Sequence, residues 1–206
     1  MKPEVTAGIV LAAGAGRRFG GPKPLVPFGE STLLERAVDV LTKGGCRTPI
    51  HVVLGKRLAA PLPAIPAMRV SWNLTWRDGI SSSLRHGLGL LEHDREASSA
   101  VVMLVDQPGI RPAAVERLIE AHRGGAVVAV ATYSGRRGHP VLLDRSTWAG
   151  VRALASGEEG ARAFMRAHPE LVTEIRCDDT GIPDDIDTPE DLARLERELE
   201  DRRTCT

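Results

Sequence analysis

The chain has 206 residues, 42% of them hydrophobic, enough for one α/β domain of ordinary size with its own core. Lys plus Arg equal Asp plus Glu at 27 each, so no overall charge draws the protein to nucleic acid or to a membrane surface. No apolar stretch approaches the ~18 residues of a bilayer span and Met1 to Val5 lacks a signal-peptide core, so a cytoplasmic protein with neither kind of partner is expected.

Cysteine and histidine usage narrows the chemistry further. Cys46, Cys177 and Cys205 are odd in number and widely spaced, which argues against a disulfide framework or a zinc site. The six histidines show no metal-binding spacing, so any metal is expected on oxygen ligands. Charge is polarised despite the balance: residues 1–60 carry nine Lys/Arg against four Asp/Glu, and residues 170–206 carry thirteen Asp/Glu against five Arg. A basic amino-terminal part suits phosphate.

The run Ala7 to Ala13 has neither charge nor alternation, the pattern of a strand buried on both faces of a parallel sheet. It breaks into Gly14, Gly16, Gly20 and Gly21, interleaved with Arg17, Arg18 and Lys23. Glycines let backbone N–H groups approach phosphate oxygens, and the cations add full charges, so the stretch reads as a polyphosphate cradle. It is not a Walker loop, because Pro22 separates Gly21 from Lys23. It is not a dinucleotide fingerprint either: Gly20 falls one residue late, and Pro22, Pro24 and Pro27 prevent a helix from starting there.

Leu25 to Phe28 reads as extended, with a turn at Gly29-Glu30. Thr32 and Glu35 then form a capping box for a helix that Gly44-Gly45 ends. Ile50 to Leu54 is the second strand, Pro61 to Pro66 a surface connection, and Arg69 to Asn73 a third strand. Gly79-Ile-Ser-Ser-Ser83 opens a helix over Leu84 to Leu91; its serines either cap the helix or bind a base or phosphate. Ala100 to Val105 is a second central strand ending at Asp106-Gln107-Pro108. A carboxylate at the carboxyl end of a parallel strand lies where open α/β sheets bind ligands, which makes Asp106 the candidate Mg²⁺ ligand.

Pro112 starts a helix to His122, Ala126 to Thr132 is a further strand, and Tyr133 to Gly138 reads as a basic turn before Gly138-His-Pro-Val-Leu-Leu143. His139, preceding a proline in an extended segment, has a structural role or a catalytic one. Asp144 caps a helix through Leu154, and another helix ends at His168-Pro169. Leu171 to Arg176 and Ile182 to Ile186 are the last extended pieces. Thr188 and Pro189 begin a final helix expected to fray past Glu200. Asp187, just before that cap, is a second metal ligand or an acidic residue at a helix dipole.

Leu11-Ala-Ala-Gly-Ala-Gly-Arg-Arg-Phe-Gly-Gly-Pro-Lys23 resembles the signature loop of nucleotidyltransferases with a three-layer, Rossmann-like, GT-A-type α/β fold and a mostly parallel sheet, above all the branch that attaches a nucleotide to molybdopterin. Asp106-Gln-Pro108, Gly138-His-Pro140 and Asp187-Thr-Pro-Glu-Asp-Leu192 are similar to that family's later motifs, in the same order. The resemblance implies Arg17, Lys23 and Asp106 as catalytic groups and Mg²⁺ on Asp106 and Asp187. It implies nucleotide binding by Leu11, Ala12, Ala13, Gly14, Gly16, Arg17 and Lys23, joined by Asn73, Gly79, Ser81 and Ser83 on the base side. Gln107, Arg137, Gly138 and His139 would meet a molybdopterin-type acceptor. Ala13, where guanylyl enzymes of the family tend to have glycine, tilts the nucleotide towards CTP. The expected reaction forms molybdopterin cytosine dinucleotide and pyrophosphate, with a molybdoenzyme or its chaperone as recipient. The alternatives are another base or sugar-phosphate acceptor, a non-catalytic nucleotide-binding delivery protein, and, weakest, a nicotinamide-dependent dehydrogenase, against which stand the glycine spacing and the lack of an acidic residue ending the second strand.

Overall fold

The structure is a computed structural model that describes residues 4–55, 58 and 61–204. Cys205 and the amino-terminal residues before Glu4 lie outside the described residues. The strands are β1 (Val5–Ala12), β2 (Pro27–Phe28), β3 (Ser31–Thr32), β4 (Arg47–Leu54), β5 (Met68–Trp72), β6 (Ala97–Leu104), β7 (Val128–Tyr133), β8 (Arg136–Asp144) and β9 (Val172–Arg176). The helices are α1 (Leu33–Lys43), α2 (Ile80–Leu91), α3 (Pro112–Arg123), α4 (Trp148–Leu154), α5 (Arg162–Ala167) and α6 (Pro189–Thr204).

Seven strands form one sheet in the order β5-β4-β1-β6-β8-β7-β9, while β2 and β3 make a separate small hairpin. β1 sits between β4 and β6 and is parallel to both, as its uninterrupted apolar run predicts. Val10 and Ala12 face the core under α1 and α3, whereas Ala7, Ile9 and Leu11 face the core under α2, α4 and α5. Two covered faces explain why the run cannot alternate, and each fully buried Val, Ile or Leu in it adds roughly 1.5–3 kcal/mol.

The α1 capping box is present: Glu35 N–H donates to Thr32 Oγ1 and Thr32 N–H donates to Glu35 Oε2. A matching reciprocal pair joins Thr188 and Asp191 at the start of α6. Four expectations are corrected. The helix after Gly79 begins at Ile80, so its serines lie inside the first turn rather than ahead of it. Residues 136–138 belong to β8, an antiparallel strand inserted between β6 and β7, and only Ser134-Gly135 turns. Residues 182–186 form no strand; they dock through backbone bonds onto the turn after β6. Finally, α6 continues to Thr204. No helix among the described residues is long and apolar enough to cross a membrane.

Candidate active site

The carboxyl ends of β1 and β6 adjoin, since Leu11 pairs with Leu104 in register. The glycine loop and Asp106 therefore emerge side by side. Between them lies a cavity of about 530 Å³. Leu11, Ala12, Ala13, Gly14, Gly16 and Arg17 form one wall, and Lys23, Gly79, Ser83 and Asp106 also line it. The loop folds back on itself through a bond from Gly21 N–H to the Gly16 carbonyl (3.0 Å). Arg17 lines the cavity, is exposed and makes no ion pair among the described residues.

Lys23 lies in a 3-10 turn between Pro22 and Pro24 and is almost wholly buried. Its Nζ donates to Asp106 Oδ2 at 2.9 Å and to Asp187 Oδ1 at 3.0 Å. Burial opposes its charge, but the two carboxylates outweigh that cost and hold the ammonium above the ordinary lysine value. Arg18 adds a second cation on Asp187, 2.8 Å from Oδ2. Asp187 reaches this position because the segment before it is zipped to the β6 turn. Ile182 N–H donates to Gly109 O (3.0 Å) and Ile186 N–H to Asp106 O (2.8 Å).

Four predicted site residues line neither this cavity nor its neighbour: Asp187, which meets the site through Lys23 and Arg18, and Gln107, Asn73 and Ser81. Gln107 turns to the carboxyl-terminal segment, donating to Pro183 O (3.2 Å) and Asp185 Oδ1 (2.8 Å). Asn73 is buried and donates to Ser82 Oγ (2.8 Å) and Ser83 Oγ (3.1 Å), which fixes the first turn of α2. Ser81 is fully buried, and its Oγ accepts from Gly160 N–H (2.9 Å) while its own N–H donates to Gly157 O (3.0 Å). Ser83 alone of the helix-opening serines reaches the cavity.

A second cavity, about 310 Å³, shares Leu11, Ile80, Leu104 and Glu158 with the first. Arg137, Gly138 and His139 line it over a floor that includes Leu84, Val102, Val130 and Val141. His139 keeps part of its surface open, yet protein packs closely around it; burial and then Arg162 push its pKa down to about 4. It is a neutral imidazole at physiological pH. Of the arginines here, Arg137 is paired with Glu174 and Arg166 with Glu159, each at 2.7 Å.

Sequence reading passed over several contributors. Trp76 stands over Gly55, where a Cβ would lie 2.6 Å from Trp76 Cγ and 2.5 Å from the Ala13 carbonyl oxygen. Glu158, which lines both cavities, accepts from Ile80 N–H at 3.2 Å. Asp185 adds a third carboxyl, pushed up by burial and then by Asp106. None of the three stands in a motif, and only the fold brings them here. Among the described residues no group of three or more His, Cys, Asp or Glu is arranged to hold a metal. Asp106 and Asp187 offer two carboxylates, too few to sequester a cation without further oxygen ligands from elsewhere.

Residues 8–172 match the model of the MobA-like NTP transferase domain. The chain belongs to that family. As a member it is a nucleotidyltransferase-type enzyme, with the α/β fold and mostly parallel sheet of its structural neighbours. One relative, named nicotine blue oxidoreductase, from Paenarthrobacter nicotinovorans, is 38% identical over 203 residues, which is 94% of this chain and 97% of the relative. A probable molybdenum cofactor guanylyltransferase from Mycobacterium avium is 31% identical over 166 residues, 78% of this chain and 81% of the relative. The crystal structure of Rv0371c from Mycobacterium tuberculosis superposes with a TM-score of 0.78 at 28% identity, covering 96% of this chain and 100% of that one. A structure of Rv0371c in complex with manganese gives 0.73 at 29% identity, covering 94% and 98%.

Proposed function

We propose that this single nucleotidyltransferase domain transfers a cytidylyl group from CTP to the phosphate of a molybdenum-bearing molybdopterin, releasing pyrophosphate. The supporting observation is that Lys23 and Asp106, 2.9 Å apart, line one cavity with the glycine loop, and that this cavity shares four lining residues with a second. An acceptor phosphate is already anionic, so the step calls for alignment and charge neutralisation rather than a Ser, Cys or His nucleophile.

The residues divide that work. The N–H groups around Gly14 and Gly16, with Arg17, would bind the β- and γ-phosphates and stabilise the leaving pyrophosphate. Lys23 would neutralise charge at the α-phosphate. Asp106 and Asp187 suit Mg²⁺, whose octahedral shell is completed by phosphate oxygens and water; when bound, the ion supplies Lewis-acid shielding of the two mutually repelling phosphates. Arg137 and neutral His139 would orient the acceptor. Ala13 supports the choice of cytosine, since it lines the cavity at a position where guanylyl enzymes of the family tend to have glycine.

A pyrophosphate-release assay with each of the four NTPs and molybdopterin tests the reading. CTP should give the highest kcat/KM, and Ala13→Gly should shift the preference towards GTP by about tenfold. Asp106→Ala should lower kcat by about 100-fold or more. Equal turnover of all four NTPs overturns the base assignment, and an unimpaired Asp106→Ala variant overturns the site.

The 38% relative named as an oxidoreductase favours a second reading, in which the apolar floor of the second cavity holds an aromatic acceptor of reducing equivalents. That reading expects consumption of NADH or NADPH with no pyrophosphate formed.

A further inference from the structure

Lys23 occupies a position that bears on when a metal can bind, not only on whether it does. Its ammonium lies between one oxygen of Asp106 and one of Asp187, at 2.9 and 3.0 Å. Only 11% of its side chain is exposed, against 24% and 34% for the two carboxylates. A cation entering between those oxygens meets a like charge already seated there, in a half-buried setting that screens it less than bulk water does. Arg18, on the other oxygen of Asp187 at 2.8 Å, further satisfies that carboxylate.

We propose that Lys23 is a nucleotide-released latch, whose ammonium keeps Asp106 and Asp187 from taking a divalent cation until a triphosphate draws it away. The inference rests on the reading above only in taking a nucleoside triphosphate as the releasing anion. Pro22 and Pro24 restrict the backbone on both sides of Lys23, so release is a swing of its four-carbon stem. Arg17, exposed at the cavity and in no ion pair among the described residues, offers the incoming phosphates their first contact. Once Lys23 turns to those phosphates, Asp106 is left without a counter-charge and Asp187 with Arg18 alone. The two carboxylates can then share a divalent ion, whose remaining oxygen ligands the phosphates and water supply. Nucleotide and metal thus bind with positive coupling, each raising the affinity for the other by the same factor.

The test measures metal binding with no turnover, by Mn²⁺ electron paramagnetic resonance on the full chain without nucleotide. Wild type should bind Mn²⁺ weakly, with a Kd of about 1 mM or above, and Lys23→Met and Lys23→Gln should each bind at least about tenfold more tightly. Asp106→Asn added to either variant should abolish the gain. Tight Mn²⁺ binding by nucleotide-free wild type overturns the latch by itself, even if neither lysine variant folds; so does a folded lysine variant that binds no better than wild type. Because no NTP or acceptor is present, an enzyme found not to transfer cytidylyl groups can still show the latch, and an active one can fail to.

Discussion

Gly14 and Gly16 stand two residues apart in one loop for different reasons. Gly16 has φ +59°, and a Cβ there would lie 1.8 Å from the Gly21 carbonyl oxygen, so the turn itself demands glycine. Around Gly14 a Cβ would find nothing within 4 Å; the fold sets no such demand, and the open space is where a ligand would approach. Gly14→Ala is therefore expected to leave the melting temperature unchanged or slightly raised while increasing the KM for NTP about tenfold or more. Gly16→Ala should lower stability by ~1 kcal/mol or more. Thermal melts and NTP titrations of the two variants separate these outcomes, and a Gly14→Ala enzyme with unaltered NTP affinity would remove the loop from the binding site. Sequence alone could not tell these glycines apart, because the difference lies in what the missing Cβ would touch. Asn73 and Ser81, expected on the base side of the nucleotide, brace the fold instead, because their partners are Ser82 and Ser83 for Asn73 and, for Ser81, Gly160, 79 residues away.

At the level of elements, what could be read ahead was what is local. The double-sided burial of β1, the capping box of α1, the helix start at Thr188-Pro189 and the carboxylate ending β6 each depend on residues a few positions apart. Pairing was not local in that sense. The antiparallel entry of β8 depends on its neighbours, and residues 182–186, expected as an extended piece, pair with no strand but dock against the β6 turn. The amino-terminal turn of α2 shows the consequence for function. It is bound to residues 157–160 by Ser81 N–H to Gly157 O, Ile80 N–H to Glu158 Oε2 and Gly160 N–H to Ser81 Oγ, so one junction shapes the adjoining walls of both cavities. Ser81→Ala leaves the Gly160 N–H buried without its acceptor, at a cost of about 1–3 kcal/mol. A domain of this size should then melt roughly 2–10 °C lower, with weaker binding at both cavities. A Ser81→Ala melt within 1 °C of wild type, about the effect of a surface change, would show that the junction does not hold the two walls together.

Across the whole molecule, the polarity seen along the chain becomes internal complementarity. Basic residues of the amino-terminal loop meet the acidic carboxyl-terminal part directly, in Arg18 and Lys23 on Asp187, and the Gly29 N–H donates to Glu196 at 3.3 Å. Burial also shapes how the fold responds to acid. Desolvation, aided by Arg162 at His139 and by Arg69 at His51, lowers the pKa of both, and desolvation alone lowers His86. In the unfolded chain these groups titrate near 6.5. Between that value and the folded one, which for His139 is about 4, the unfolded state binds more protons, so stability falls as pH drops through the window. For His139 the loss is on the order of 3 kcal/mol. A second loss follows at lower pH, where carboxylates held down in the fold are protonated: Asp179, lowered to about 2 chiefly by Arg117, and Asp94, whose backbone bonds from Glu96 and Ala97 and ion pair with Arg47 outweigh its desolvation. Their contribution is complete above the unfolded carboxylate pKa and disappears as pH falls through the folded one. Melting temperatures recorded from pH 8 to pH 2 should therefore decline in two stages, and His139→Gln should flatten the upper stage while sparing the lower. A melting temperature constant from pH 8 to 4.5 in wild type would mean that these histidines are not held neutral by the fold.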